Sequence, residues 1–148
     1  MRDLKLLTKK TQELHADFAY AMARAGLNYI VTSTLRTLEE QKALYAQGRE
    51  SLDEINRLRA IAKMPKLSPT EAKKAVTWTM KSRHLTGRAF DIALIGVDGK
   101  TPHWNEKISI NVNQVPDYLE AGIIGESVGL VWGGRWTSPD FPHFEAPA

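Results

Sequence analysis

Two short segments limit what this chain can fold into. Ser82-Arg83-His84-Leu85-Thr86-Gly87-Arg88-Ala89-Phe90-Asp91 and Asp140-Phe141-Pro142-His143-Phe144-Glu145 each set a histidine within a few residues of a carboxylate. Around them stand glycine, proline and aromatic residues of the kind that shape loops and pack short strands. From Ala89 to Val97 the chain alternates: Ala89, Asp91 and Ala93 point one way, and Phe90, Ile92 and Leu94 the other. The apolar trio needs a core, while the opposite face leaves room beside a carboxylate flanked by small side chains. A fold that satisfies both has a strand with one packed face and one face free for polar chemistry.

The chain has no cysteine. That excludes disulfides and thiolate ligation and leaves His, Asp and Glu as the strong ligands for a transition metal. A catalytic zinc takes three protein ligands and keeps a fourth position open. His84, Asp91 and His143 supply such a set if the loop before the strand folds back towards Asp91 and His143 arrives from a neighbouring strand. Four histidines are present. His15 lies beside the apolar stripe of the first helix, where a capped or solvent-facing side chain is expected, and His103 falls in a loop.

Periodicity places these segments. A helix is expected from about Thr8 to Ala25, with Leu14, Phe18, Ala21, Met22 and Ala25 at helical spacing and Gly26 as its stop. Leu27 to Thr32 reads as a strand leading to Arg36. Thr37 with Glu40, Ser51 with Glu54, and Ser68 with Glu71 have the spacing of capping boxes, so three further helices are expected before Gly48, before Pro65 and after Ser68. In the second of these, Leu52, Ile55, Leu58 and Ile61 form the buried stripe. Thr77 to Met80 reads as extended, and Asp98-Gly99 as either a hairpin turn or a loop. A fifth helix from Val115-Pro116 to Val128 turns Leu119, Ile123 and Val128 inward, and Leu130 to Trp132 and His143 to Glu145 supply short strands. The fold class is α+β: a small antiparallel sheet with helices packed on one side.

The 148 residues suit one compact domain spanning 1–148, and 43% apolar with 25% charged residues is the globular norm. A net charge of +3 attracts polyanions weakly without choosing one. Nucleic acid is not the expected partner, because the basic residues are scattered among acids and form no stripe with aromatic platforms. No run reaches the length of a membrane span, and the first residues lack the apolar core of a signal peptide, so stable membrane insertion is not expected and synthesis in the cytoplasm is.

In order and spacing these segments resemble the zinc peptidases of the D-Ala-D-Ala carboxypeptidase and L-alanyl-D-glutamate endopeptidase group. Ser82 to Asp91 matches their Ser-x-His-x-x-Gly-x-Ala-x-Asp signature, and Asp140-x-x-His143 their second motif. Thr34 to Gln41 and Gly129 to Trp136 resemble segments of the phage endolysins in that group. The likeness runs from about Val31 to Glu145. Two features differ: the segment from Glu50 to Met80 is longer than in the compact endolysins, and many relatives have a glutamate where Asp140 stands.

The resemblance implies a hedgehog/DD-peptidase-like fold and one zinc ion on His84, Asp91 and His143. It also implies that Asp140 moves the proton of a water and that Arg36 binds substrate, while Glu145, on the strand face of His143, is a candidate either to hold the free N–H of a ligand or to serve the structure. Ser82 is a candidate to bind substrate or to orient the His84 loop, and Trp132 and Trp136 are candidates either to line the cleft or, as aromatic residues at a strand end commonly do, to join the core. The implied partner is the bacterial peptidoglycan stem peptide, cut between L-Ala and D-Glu by a monomeric enzyme. Such an enzyme would accumulate in the cytoplasm of an infected host until released to the wall. A D-Ala-D-Ala carboxypeptidase is the alternative. A non-catalytic wall-binding module is a third reading, against which the presence of Asp140 argues.

Overall fold

The computed structural model describes residues 1–105, 107, 109 and 115–148. Its backbone contacts divide the chain into two compact units: Met1–Leu35 with Thr86–Ala148, and Arg36–Leu85.

In the first unit α1 (Lys9–Arg24) begins where Thr8 Oγ1 accepts the Thr11 N–H at 3.2 Å, satisfying one of the N–H groups that a helix start leaves open. Among the described residues five strands follow: β1 (Tyr29–Ser33), β2 (Ala89–Ile95), β3 (Pro102–His103), β4 (Val131–Trp132) and β5 (His143–Glu145). All their pairings are antiparallel, in the order β1-β2-β5-β4, with β3 also on β2. The Asp98-Gly99 signal is therefore a true reversal. Asp98 Oδ1 accepts the N–H groups of Lys100 and Thr101, Gly99 takes φ +70°, and β3 returns beside β2.

Phe90, Ile92 and Leu94 are buried with Leu14, Phe18 and Met22 of α1 and with Tyr118 and Ala121 of α5 (Asp117–Ser127). Sheet and helices thus share one core on one face of β2, as the alternation requires. Burying each of these large side chains contributes roughly 1.5–3 kcal/mol.

α5 packs Leu119 and Val128 against the core, as its periodicity suggests, but not Ile123. Ile123 is exposed, while Tyr118, Ala121, Gly122 and Gly125 are buried. The reason is close approach: a Cβ on Gly122 would lie 2.2 Å from the Trp132 ring, and one on Gly125 would lie 2.5 Å from that of Phe144. Apolar residues occur around the whole helix, so periodicity alone cannot phase it, and the glycine face packs because two aromatic rings need the space. His15 takes the capped and not the solvent-facing of its two expected roles. It is buried against Phe18 and Phe90 and shares a 3.0 Å hydrogen bond with the Tyr29 hydroxyl. Burial lowers its pKa from 6.5.

The second unit contains α2 (Leu38–Ala46), α3 (Leu52–Ile61) and α4 (Pro69–Ala72). Reciprocal capping boxes join Thr37 to Glu40 and Ser68 to Glu71, and Ser51 Oγ accepts the Glu54 N–H. Ala46, Ile55 and Ala72 form its small core, on which Leu52, Leu58 and Leu67 pack. Ile61 is exposed, because α3 ends there and the chain turns through Lys63 at φ 59°. Thr77 to Met80 forms no strand. Its backbone is held by a side chain instead: the buried Gln41 amide donates to the Thr79 carbonyl at 2.7 Å.

Candidate metal centre

The register of β2 on β5 builds the first part of the site. Asp91 pairs with His143 and Phe90 with Phe144. The two phenylalanines stack in the core with centroids 5.6 Å apart, which commits their neighbours to the opposite face. A slip of one residue would bring Asp91 into the core, so the aromatic pair secures the polar one. On that face His143 Nδ1 lies 3.0 Å from Asp91 Oδ1, and Nε2 lies 2.9 Å from Glu145 Oε1.

His143 is only 5% exposed. Burial lowers its pKa, but the hydrogen bonds to Asp91 and Glu145, with the charges of Asp91 and Asp140, outweigh burial and raise it to about 9. Metal-free protein at neutral pH therefore carries an imidazolium between two carboxylates.

His84 sits in a 3₁₀ turn, Arg83–Thr86, and is buried. Ser82 Oγ accepts the His84 N–H at 3.2 Å, and the Arg36 N–H donates to the His84 carbonyl at 3.0 Å. Gly87 ends the turn at φ +70°, a conformation that suits glycine. Its carbonyl accepts the Thr8 N–H, and a Cβ there would stand 2.8 Å from the Leu6 carbonyl oxygen. One ligand atom each from His84, Asp91 and His143 lies within 4.8 Å of the others.

The donor set suits zinc. Two imidazole nitrogens and one carboxylate oxygen are a catalytic set, and two atoms bound to a tetrahedral zinc lie about 3.3 Å apart. The 3.0 Å between His143 Nδ1 and Asp91 Oδ1 is close to that separation. Glu145 takes the remaining ring nitrogen, the arrangement that fixes the tautomer of a ligating histidine.

Asp140 is exposed in the turn before β5, where its carbonyl accepts the His143 N–H at 3.2 Å. Its own N–H donates to the Gly133 carbonyl at 2.9 Å. Glycine is required at 133, since a Cβ would meet the Asp140 carbonyl oxygen at 2.6 Å. The Gly133-Gly134 pair was the sequence signal for this close approach, and its bearing on Asp140 emerges only in three dimensions.

The substrate-side candidates separate. Arg36 donates from Nη1 to Gln41 Oε1 at 2.9 Å, and its backbone secures His84. Ser82 uses its hydroxyl to accept the His84 N–H, which favours the loop-orienting role. Trp132 is a correction: it is 2% exposed, packs on Gly122 and donates from Nε1 to the Phe141 carbonyl at 2.8 Å, so it belongs to the core and lines no cleft. Its strand neighbour Val131 faces out instead. Trp136, 40% exposed, lies 4.9 Å from the His143 ring, centroid to centroid.

Known proteins resemble this chain in sequence and in fold. The family described as D-alanyl-D-alanine carboxypeptidase matches residues 75–146. The chain is 31% identical over 128 residues to the peptidoglycan L-alanyl-D-glutamate endopeptidase CwlK of Bacillus subtilis (strain 168), an alignment that covers 84% of this chain and 64% of that relative. Among solved structures it resembles the Serratia marcescens L-Ala D-Glu endopeptidase ChiX, with a TM-score of 0.60 and 18% identity over 97% of this chain and 83% of the other. It also resembles the vancomycin resistance D,D-pentapeptidase VanY in complex with Zn(II), with a TM-score of 0.53 and 17% identity over 95% and 72% of the two chains. These likenesses establish the expected fold. By its motif order, its matched segment and its fold, the chain is similar to the D-alanyl-D-alanine carboxypeptidase and L-alanyl-D-glutamate endopeptidase group of peptidases, and it spans just under two thirds of the length of the curated relative it matches.

Proposed function

We propose that this protein is a zinc-dependent peptidoglycan peptidase that cuts the stem peptide between L-Ala and D-Glu. The observation that carries the reading is the convergence of ligand atoms from His84, Asp91 and His143, with Asp140 one turn before His143. His84, Asp91 and His143 would hold the metal. Zinc in such a site lowers the pKa of a bound water from about 15.7 to near 7 and polarises a carbonyl oxygen. The chain supplies the rest. Asp140, exposed beside His143, accepts a proton from water and returns it to the departing amine. Glu145 keeps the His143 ring oriented. The Arg36 guanidinium pairs with a substrate carboxylate through two parallel hydrogen bonds, a geometry that lysine lacks.

In the stem peptide D-Glu is joined onward through its γ-carboxyl, so its α-carboxylate is free for Arg36. Terminal D-Ala-D-Ala presents a carboxylate in the same relation to the scissile bond, and the description of the matched family favours that carboxypeptidase reading. The endopeptidase reading draws on the resemblance to CwlK, which is more alike in sequence than the solved structures named above. The monomeric state, the phage-lysis setting and the cytoplasmic location before release are proposed from the likeness to endolysins alone.

Labelling new amino termini in digested cell walls tests the bond. Free D-Glu amines support the endopeptidase, whereas released D-Ala without a new D-Glu terminus gives the reaction to the carboxypeptidase. Full activity in chelator-stripped protein defeats both.

A further inference from the structure

Trp136 differs from the other exposed tryptophans, Trp78 and Trp104, in being held beside a candidate ligand. Its N–H donates to the Gly133 carbonyl at 3.2 Å, the same oxygen that accepts the Asp140 N–H at 2.9 Å. One carbonyl therefore fixes the backbone of both residues. The preceding residue is clamped as well: Arg135 donates from Nε and Nη2 to Glu126 at 3.1 and 2.9 Å, and its guanidinium lies over the Trp132 ring. The indole tilts 46° to the His143 imidazole and leaves 40% of its surface open.

Single exposed aromatic residues are ordinary and need no explanation. A pre-set indole whose one side meets a buried, metal-suited imidazole is different, because it offers a rigid apolar wall at small entropic cost. The proposed substrate has two unlike residues at the scissile bond. D-Glu carries a free carboxylate, whereas L-Ala carries only a methyl group.

Resting on the function proposed above, we infer that Trp136 is a substrate-positioning residue whose indole face packs on the alanine methyl and sets the preference for alanine at that position. A wall that only shielded His143 would change metal retention. A wall that touches substrate changes discrimination between substrates.

The test uses zinc-loaded protein and two soluble stem-peptide fragments, one with the natural L-Ala and one with Gly in its place. Wild type should prefer the alanine peptide about tenfold in kcat/KM, the scale of one small apolar group in a pocket. Trp136→Ala should reduce that preference to about twofold or less and raise KM for the alanine peptide about 30-fold, as loss of an aromatic anchor does. Zinc content and Tm should remain, and Trp136→Phe should restore most of the preference. An unchanged preference in Trp136→Ala overturns the inference, as does loss of zinc in proportion to activity. If wild type cuts neither peptide, the proposed reaction fails, and calorimetric Kd values for the two peptides on both proteins still decide whether Trp136 reads the methyl group.

Discussion

Glu145 Oε1 lies 2.9 Å from Nε2 of His143, and so decides which ring nitrogen is left to face Asp91. The two residues are on one strand two positions apart, so the pleat that aims one side chain at the site aims the other beside it. Glu145→Gln keeps a hydrogen-bonding oxygen but removes the charge that makes the imidazole a stronger ligand. Zinc affinity is expected to fall about 10- to 100-fold, with the far-UV spectrum unchanged. Competition against a chelator of known affinity measures it, and an unaltered affinity would mean that Glu145 only packs.

Zinc uptake should release a proton. The His143 pKa in metal-free protein, about 9, lies above its ordinary 6.5. The proton-linked stabilisation of the metal-free fold is therefore fully present below pH 6.5 and is lost as pH rises through about 9. A metal needs the Nδ1 lone pair, so binding at pH 7 displaces about one proton from this ring. Calorimetry in buffers of different ionisation enthalpy reads that number, and apparent affinity should climb from pH 7 towards 9. Binding enthalpies that do not vary with buffer would show a neutral His143.

Asp140→Asn separates holding metal from moving protons. The amide is nearly the same size, and the backbone bonds at 140 are independent of the side chain. Zinc content and Tm should stay near wild type while kcat falls about 10²- to 10⁴-fold, the usual loss when general base help is removed. Near-normal turnover would assign the proton to another group, with Glu145 the first candidate.

Gly122→Ala tests the face of α5. In an exposed helix this change gains about 1 kcal/mol in propensity. Here the added carbon would sit 2.2 Å from a Trp132 ring whose Nε1 is already tied to Phe141. Overpacking costs about 1–3 kcal/mol, so the protein should be less stable despite the better helix former. Urea midpoints measure it, and a stabilised variant would show that the Trp132 ring can move aside.

Short-range physics made much of this protein legible in its sequence. Thr8, Thr37, Ser51 and Ser68 cap helices because a hydroxyl reaches an N–H three residues on, and nothing distant is needed. The period of two along Ala89 to Leu94 separated the face of Asp91 from the face of Phe90 for the same reason. His84, Asp91, His143 and Asp140 stood out as a group through residue type and spacing, with the family resemblance assigning their roles. What depended on packing was not legible. Trp132 and Trp136 are equally apolar, and only the pairing of β4 on β5, with Gly122 beneath it, places one in the core and leaves the other beside His143. Ile123 reads as core until two aromatic rings claim the glycine face of α5, and His15 reads as either capped or solvent-facing until Tyr29 and Phe90 close over it. In each case the deciding neighbour is remote in sequence, and close packing, more than local preference, selects which of two similar side chains is buried.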